Sequence, residues 1–195
     1  MTITILKYAG ALVLGVLLGL ISLYLMMGPL RSGATVTNGV WTTDLSTGSA
    51  AAGPYTRAQI ALYGLLALNR SETVYYFANN DADGAPLTSL CDYAIEGRDP
   101  DARWWSLTVY GPDSYLLDEA KGRYSASATS VTRRADGTFR VVLAGSGTKE
   151  ADAPGAIPTG TGAFNVTLRL YNPGRSGVEH PDSVVLPRLI KGACR

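Results

Sequence analysis

The sequence has little of the residue types on which most catalytic and metal sites depend. Its only histidine is His180, so a three-histidine metal site is excluded, and a Ser-His-Asp catalyst would have to use this one residue. No G-x-S-x-G segment, the motif that presents a nucleophilic serine, occurs. The surroundings of His180, Val178–Asp182, are typical of an irregular loop, and we expect this histidine at the surface.

An excess of positive charge is also missing. The chain has 17 Lys and Arg residues against 16 Asp and Glu residues, and without Lys7 and Arg31 the balance is 15 to 16. The sequence contains no basic cluster, so nucleic acid is not an expected partner. Beyond Arg31 about 160 residues remain, which suits one domain with a sizeable core. No internal repeat or second domain is evident.

Cysteine is limited to Cys91 and Cys194, about a hundred residues apart, and no C-x-x-C pair occurs. A redox or zinc site is therefore not expected. In an oxidising compartment two cysteines of a small domain tend to pair. We predict a disulfide that pins the C-terminal tail and stabilises the domain by about 4–5 kcal/mol. The alternative is two unpaired thiols, one buried and one at the C-terminal end.

Charge is absent altogether between Lys7 and Arg31. The apolar stretch from Tyr8 to Leu30 would form a helix of about 35 Å, enough to cross a hydrocarbon core of ~30 Å. Residues 1–31 are therefore predicted to form a single-pass anchor, with the N-terminus cytoplasmic because Lys7 and the chain amine precede it. A cleaved signal peptide is the alternative, with Ser32-Gly33-Ala34 as a poor cleavage site. Its apolar core is usually about 7–15 residues long, which favours the retained anchor.

Two segments follow the apolar stretch. Residues 32–53 are rich in Gly, Ser, Thr and Ala and are predicted to form a linker, in which Trp41 packs back onto the domain. Pro54 suits the first turn of a helix, which we expect to end near Asn69. The helix should be well buried because its apolar residues recur at helical spacing, namely Tyr55, Ala58, Leu62, Leu65, Leu66 and Leu68.

The remaining sequence alternates with a period of two, which predicts strands. In the clearest strand Trp105, Leu107 and Val109 point one way while Trp104 and its alternates point the other. Asp136-Gly137 is a hairpin signal. The predicted strands cover 73–77, 91–95, 104–110, 124–128, 139–144 and 164–171. We predict a mainly β fold for residues 54–195, an antiparallel jelly-roll-like β-sandwich preceded by one packed helix.

A long connection rich in Gly, Pro and Thr runs from Gly145 to Ala163. Segments of this length in a compact domain are either functional or mobile. We expect a mobile surface segment.

An acidic segment resembles the start of a calcium loop. Asn79, Asp81 and Asp83 place oxygen atoms at alternate positions before Gly84. The twelfth position is Leu90, where an EF-hand requires a glutamate. A looser calcium site remains an alternative to an Asp-Gly turn, which we favour, and no metal or cofactor is predicted.

Paired carboxylates and paired tryptophans are the other candidates for a site. Asp99 and Asp101 could serve glycoside hydrolysis, but their spacing beside a proline is more typical of a solvated turn, so no catalytic residue is predicted. Trp104 and Trp105 point to opposite faces of one strand, so both cannot lie in the same core. One of them lies under a covering segment or belongs to a sugar- or protein-binding face. The candidate binding residues are Trp104, Trp105, Arg103 and Arg169.

Several segments together resemble the DUF1214 family, an uncharacterised bacterial domain. They occur in the family's order: 54–58, 72–76, 81–84, 102–110, 123–125 and 168–173. The resemblance implies a jelly-roll-like β-sandwich fronted by a helix, and the short form with one anchor resembles an alphaproteobacterial membrane protein of unknown role. The chain departs from the family at Ala156-Ile157-Pro158, where Trp-Leu-Pro is usual. The family brings no established catalytic residues.

In longer relatives the DUF1214 domain follows a DUF1254 domain on the same chain. The resemblance therefore implies a separate DUF1254-like membrane-anchored partner, a larger membrane complex, or self-association. We expect a non-catalytic periplasmic interaction module anchored in the bacterial inner membrane, an accessory subunit of an envelope or inner-membrane complex. The alternative is an envelope carbohydrate-binding or carbohydrate-processing protein.

Overall fold

The structure, a computed structural model, describes residues 2–27, 35–62, 66–117 and 122–195. The helices in these ranges are α1 (Thr2–Met27), α2 (Pro54–Leu62), α3 (Lys149–Asp152) and α4 (Arg175–Glu179). The strands are β1 (Thr35–Asn38), β2 (Trp41–Asp44), β3 (Thr73–Ala78), β4 (Cys91–Gly97), β5 (Ala102–Tyr110), β6 (Ser125–Ser127), β7 (Phe139–Ala144), β8 (Ile157–Pro158), β9 (Asn165–Pro173) and β10 (Arg188–Cys194).

Helix α1 contains the apolar stretch. Its segment Thr4–Met26, 23 residues, is long and apolar enough to cross a membrane, and none of it is buried by the rest of the protein. The helix starts well before Tyr8, because the residues ahead of Lys7 continue the same helical geometry. The predicted limits Leu30 and Arg31, and the alternative cleavage site at 32–34, lie outside the described residues.

The larger sheet has six strands in the order β1-β2-β3-β9-β5-β6, and every neighbouring pair is antiparallel. Its first two strands lie within the segment predicted as a linker, so residues 35–44 are part of the sheet. The reason is Trp41, which is buried in the core and donates its indole N–H to the Pro187 carbonyl at 2.7 Å. The expectation that Trp41 packs onto the domain is confirmed.

The smaller sheet has four strands in the order β10-β4-β7-β8. Strands β7 and β8 pair in parallel, so this sheet is mixed rather than fully antiparallel as predicted. The Asp136-Gly137 turn is present, with Gly137 at φ +80°, and it leads into β7. The predicted disulfide joins Cys91 on β4 to Cys194 on β10, which ties the C-terminal strand to its neighbour.

The two sheets share one hydrophobic core. Trp105 of the larger sheet stacks on Phe139 of the smaller one, with ring centroids 4.7 Å apart and planes at 24°. Other fully buried side chains at this interface include Tyr76, Leu107, Ile95, Leu143 and Leu168. The mainly β fold is confirmed, whereas jelly-roll connectivity stays a prediction.

Helix α2 is shorter and less buried than predicted. It ends at Leu62, which is 74% exposed, and its buried residue is Gln59 rather than a leucine. Leu65 lies outside the described residues, and residues 66–69 are not helical. The Tyr75 hydroxyl donates to the Leu66 carbonyl and accepts from the Leu68 N–H. These bonds tie the segment to strand β3 in a non-helical conformation, so the prediction of a helix to Asn69 is wrong.

The connection from Gly145 to Ala163 is structured. It contains α3 and β8, and Ile157 is buried in the core. Arg123 donates to the carbonyls of Ala151 and Ala153, which fastens α3 to the domain. This packing contradicts a simple surface excursion. Ala156 is buried as well.

Candidate functional site

A cavity of about 740 Å³ lies on the face of the six-stranded sheet that points away from the core. Strands β2, β3, β9 and β5 form its floor, and α2 with residues 66–68 forms its roof. We call it the sheet cavity. Its volume lies in the range of about 300–1,000 Å³ that is typical of sites for small ligands.

Strand register decides which side chains form the floor. Side chains alternate along a strand. Every second residue of these strands therefore lies on the sheet face opposite the core, which is the face that carries the cavity. One cross-strand row is Tyr75, Arg169 and Ser106, and the next is Phe77, Thr167 and Thr108. Aromatic rings and hydroxyl groups thus surround a single guanidinium.

Arg169 is held by neutral oxygen atoms. Its guanidinium donates to the Thr108 hydroxyl at 3.1 Å and to the Tyr110 hydroxyl at 2.7 Å, and its Cζ lies 5.5 Å from the centre of the Tyr110 ring. Within the described ranges no carboxylate reaches ion-pair distance of this side chain. Among the described residues, the partners of this positive charge are therefore neutral hydroxyl groups.

Tyr75 links the floor to the roof. Burial is the main reason that the pKa of Tyr75 is raised, while the hydrogen bond from Leu68 and the charge of Arg169 act in the opposite direction. The phenol therefore stays neutral well above physiological pH. In that state it can donate to Leu66 and keep residues 66–68 over the cavity.

The roof contacts the end of α1. Gln59 of α2 donates its side-chain N–H to the Met26 carbonyl at 3.1 Å, and Tyr55 is hydrogen-bonded to Ser22. A second cavity of about 260 Å³ lies between the two helices, and Thr56 and Gln59 line both cavities. The sheet cavity is thus separated from the end of the apolar helix by little more than α2.

The structure brings only one of the four predicted binding residues into the sheet cavity, and that residue is Arg169. Trp104 shares its sheet face and packs on Tyr171, with centroids 5.1 Å apart, but does not line the cavity. Trp105 is buried in the core, and Arg103 is exposed near the start of β5. The prediction that the two tryptophans point to opposite faces is confirmed.

The calcium-like segment forms the favoured turn. Gly84 has φ +80°, and one Asp81 carboxylate oxygen accepts from the Asp83 and Ala85 N–H groups. The other oxygen accepts from Lys191 at 2.7 Å, a bond that lowers the pKa of Asp81. Asn79 instead lines the sheet cavity. In the part of the chain that the structure describes, no group of three or more potential metal ligands occurs.

The remaining candidates lie elsewhere. Asp99 accepts from Arg133 and from the Trp105 indole, so it buttresses the core tryptophan. The Asp101 carbonyl accepts from the Gly174 N–H, at the start of α4. His180 is exposed at the end of α4. None of the three lines the sheet cavity.

Sequence reasoning missed Tyr75, Tyr110 and Thr108 as parts of one site. The alternation along β5 placed Thr108 and Tyr110 on the face opposite Trp105, whereas β3 has aromatic residues on both faces and gave no such signal for Tyr75. The pairing of both strands with β9, which brings them around Arg169, carries no local signal.

The comparisons with known proteins agree with the fold and leave activity open. The VPA0106 protein of Vibrio parahaemolyticus superposes with a TM-score of 0.60 at 20% identity, over 73% of this chain and 36% of that one. This likeness shows the fold alone, and the chain matches little more than a third of the Vibrio protein. A Burkholderia cenocepacia protein reaches a TM-score of 0.36 at 15% identity, over 62% of this chain and 29% of that one, too low to carry an argument.

A comparison with curated proteins finds no match. A family model, described as DUF1214, a protein of unknown function, matches residues 72–175. The matched segment is more than half of the chain and runs from the start of β3 through β9. The chain therefore belongs to the DUF1214 family.

Proposed function

We propose that this protein is a non-catalytic binding module, anchored by α1 in the bacterial inner membrane, which presents the sheet cavity at the periplasmic membrane surface. In this role it serves as an accessory subunit of an envelope or inner-membrane protein complex. The observation that carries the proposal is the contact between the roof of the cavity and the end of α1, made by Gln59 and Met26.

The anchoring rests on the surface of α1. Its leucines, isoleucines and valines are largely exposed, and an apolar surface of this length is stable in a bilayer but not in water. The disulfide supports an oxidising compartment for the domain. Lys7 and the chain amine support a cytoplasmic N-terminus.

The non-catalytic part of the proposal rests on the lining. Among the described residues that line the sheet cavity, the only carboxylate is Asp44, and it accepts from the Ser46 N–H and hydroxyl. General acid–base hydrolysis of a glycoside takes two carboxylates. The lining thus supports binding rather than glycoside cleavage.

One observation favours carbohydrate binding as the second candidate. The cavity is concave, and four aromatic side chains line it, namely Tyr75, Phe77, Tyr110 and Tyr171. Sugar rings stack on such surfaces while hydroxyl groups hydrogen-bond around them. A glycan array probed with the detergent-solubilised full-length protein tests this candidate. Carbohydrate binding predicts that the wild type binds a glycan and that Tyr110→Ala weakens this binding.

The protein partner proposed for the complex is a DUF1254-like sandwich protein or a second copy of this chain. Leu62 and Leu66 are 74% and 78% exposed and flank the roof of the sheet cavity. Exposed leucines beside a candidate anchor suit either a protein partner or the lipid surface.

Site-specific photo-crosslinking in the native membrane tests the proposal. A photoreactive residue replaces Leu66 at the cavity mouth, and the matched control replaces Ala135, which is exposed in the turn before β7. We expect a protein adduct in stoichiometric yield from position 66 and none from position 135. Extraction of the full-length chain by alkaline carbonate, or a solitary protein with no adduct at either position, contradicts the proposal.

A further inference from the structure

Arg169 is held by side-chain hydroxyl groups, whereas Arg57, Arg70 and Arg123 donate to main-chain carbonyls. Arg133, Arg140, Arg175, Arg195 and Lys191 each contact a carboxylate. Arg169 is partly buried and has two hydroxyl partners instead. A cation removed from bulk water is destabilising unless an opposite charge or hydrogen bonds compensate it. Hydroxyl groups orient the guanidinium but leave its charge available to an anion.

Part of the lining is apolar, beside the polar Thr56 and Gln59 of the roof. Ile60, Leu66 and Leu68 approach from above, and Phe77 lies on the floor one cross-strand row from Arg169. The sheet cavity therefore combines one cationic position with an apolar wall. A ligand that matches both has a charged head and a hydrocarbon part.

The cavity also lies where such a molecule would be found. The Gln59 side chain borders both the sheet cavity and the smaller cavity that Met26 lines. Met26 is the last residue of the segment long enough to cross a membrane. A membrane containing α1 would therefore end beside the roof of the cavity.

We propose that the sheet cavity binds an anionic amphiphile from the membrane, with its carboxylate or phosphate head on Arg169 and its hydrocarbon chain along the apolar wall. This inference deepens the proposed function and rests on it for the position of the cavity at the bilayer. Asp44 lies on β2, which β3 separates from β9, and it forms no ion pair with Arg169 among the described residues, so the guanidinium stays available to the head group.

Native mass spectrometry of the full-length protein in a neutral maltoside detergent tests the ligand class. The probes are palmitate, hexadecanol with the same chain and no charge, and inorganic phosphate with a charge and no chain. We expect palmitate to bind one-to-one and hexadecanol to bind about tenfold more weakly, as the loss of a charge-assisted hydrogen bond predicts. Inorganic phosphate is expected to bind more weakly than either.

Two variants and a control locate the site. Arg169→Gln removes the charge and is expected to weaken palmitate binding by about tenfold while leaving hexadecanol unchanged. Thr56→Trp fills the cavity from the roof without touching the floor and is expected to weaken both ligands. Arg188→Gln, on the exposed edge of the smaller sheet, is the control and should bind palmitate as the wild type does.

Three results would overturn the inference. Equal binding of palmitate and hexadecanol by the wild type would show that the anionic head group is not recognised. Binding of inorganic phosphate as tight as that of palmitate would identify a soluble anion as the ligand instead. Unchanged palmitate binding by folded Arg169→Gln and Thr56→Trp would show that palmitate does not bind in the sheet cavity. In each case a protein adduct from position 66 in the membrane still supports the proposed function, so the two failures are distinguishable.

Discussion

The outer faces of the two sheets differ in the partners of their charged side chains. On the four-stranded sheet a cross-strand row consists of Arg188, Glu96 and Arg140, and Glu96 forms an ion pair with Arg140 and lies 3.7 Å from Arg134. On the six-stranded sheet the central row consists of Tyr75, Arg169 and Ser106, with no carboxylate. One face pairs a carboxylate with arginines and meets solvent, while the other keeps an arginine among hydroxyl groups under a roof.

The comparison teaches that burial alone does not mark the functional face. Opposite charges in neighbouring strands stabilise each other, so Glu96 of the smaller sheet finds its partners within the protein. On the larger sheet Arg169 has hydrogen-bond partners, but none of its partners among the described residues is a carboxylate. Four sets of variants test this difference between the two sheets through stability or ligand binding.

The largest effect is expected from the disulfide, which belongs to the smaller sheet alone. Replacing Cys91 and Cys194 together by serine should lower the free energy of unfolding by about 4–5 kcal/mol, because a loop of about a hundred residues is released. Denaturant unfolding of the full-length protein in detergent measures the change. Palmitate binding to the folded fraction should persist, because neither cysteine lines the sheet cavity. An unchanged midpoint would contradict a structural role for the bond.

The two adjacent tryptophans separate the core from the outer face. Trp105→Ala should cost about 3–5 kcal/mol, because it empties the stack with Phe139 at the interface of both sheets. Trp104→Ala removes a half-exposed ring and its contact with Tyr171, which is worth about 1 kcal/mol. Parallel denaturant titrations compare the two. Equal losses would mean that the outer face is packed as tightly as the core.

A carboxylate placed beside Arg169 should make the larger sheet resemble the smaller one. Thr108→Asp puts a negative charge where the Thr108 hydroxyl now lies 3.1 Å from the guanidinium. We expect palmitate binding to fall about tenfold, because the new ion pair competes with the ligand. Thr108→Asn is the matched neutral control and should retain binding. Loss of binding in both variants would indicate a steric effect instead.

The smallest effect concerns pH. Arg133 first and the Trp105 indole second lower the pKa of Asp99. Its stabilising contribution is therefore complete above the unfolded value of about 3.9 and is lost as the pH falls through the lower folded value. Asp99 is partly exposed, so Asp99→Asn should cost only about 0.2–1 kcal/mol near neutrality, and less as acid is added. Thermal unfolding at several pH values measures this, with Asp113→Asn as an exposed control. A difference that grows on acidification would contradict the assignment.

Local alternation identified the strands that lie in the middle of the sheets. Strands β5, β7 and β9 alternate because one face of each packs in the core, and their positions followed from the sequence. The weakly patterned elements did not follow. β10 buries only Leu189, β8 has two residues, and the hairpin of β1 and β2 lies in a segment whose composition suits a linker. Helix α2 was predicted too long because the Tyr75 hydroxyl, on the strand that follows, bonds Leu66 and Leu68, a contact that helical spacing does not reveal.

The site was less predictable than the fold. Arg169 stood out as a charge between apolar residues, but its hydroxyl partners Thr108 and Tyr110 depend on which strands flank β9. Tryptophan is common in binding sites, but the position of Trp105 on β5 places its side chain in the core. A cavity with a floor from four strands and a roof from a helix is a tertiary property, which no single segment contains.

The bond from Gln59 to Met26 has a mechanical consequence. The last carbonyls of a helix have no partner within it, so the amide of α2 completes the end of α1 and follows its movement. A membrane helix adjusts its tilt to the thickness of the surrounding bilayer. In the proposed membrane-anchored state, a tilt of α1 would be passed through this bond to α2 and to the roof of the sheet cavity.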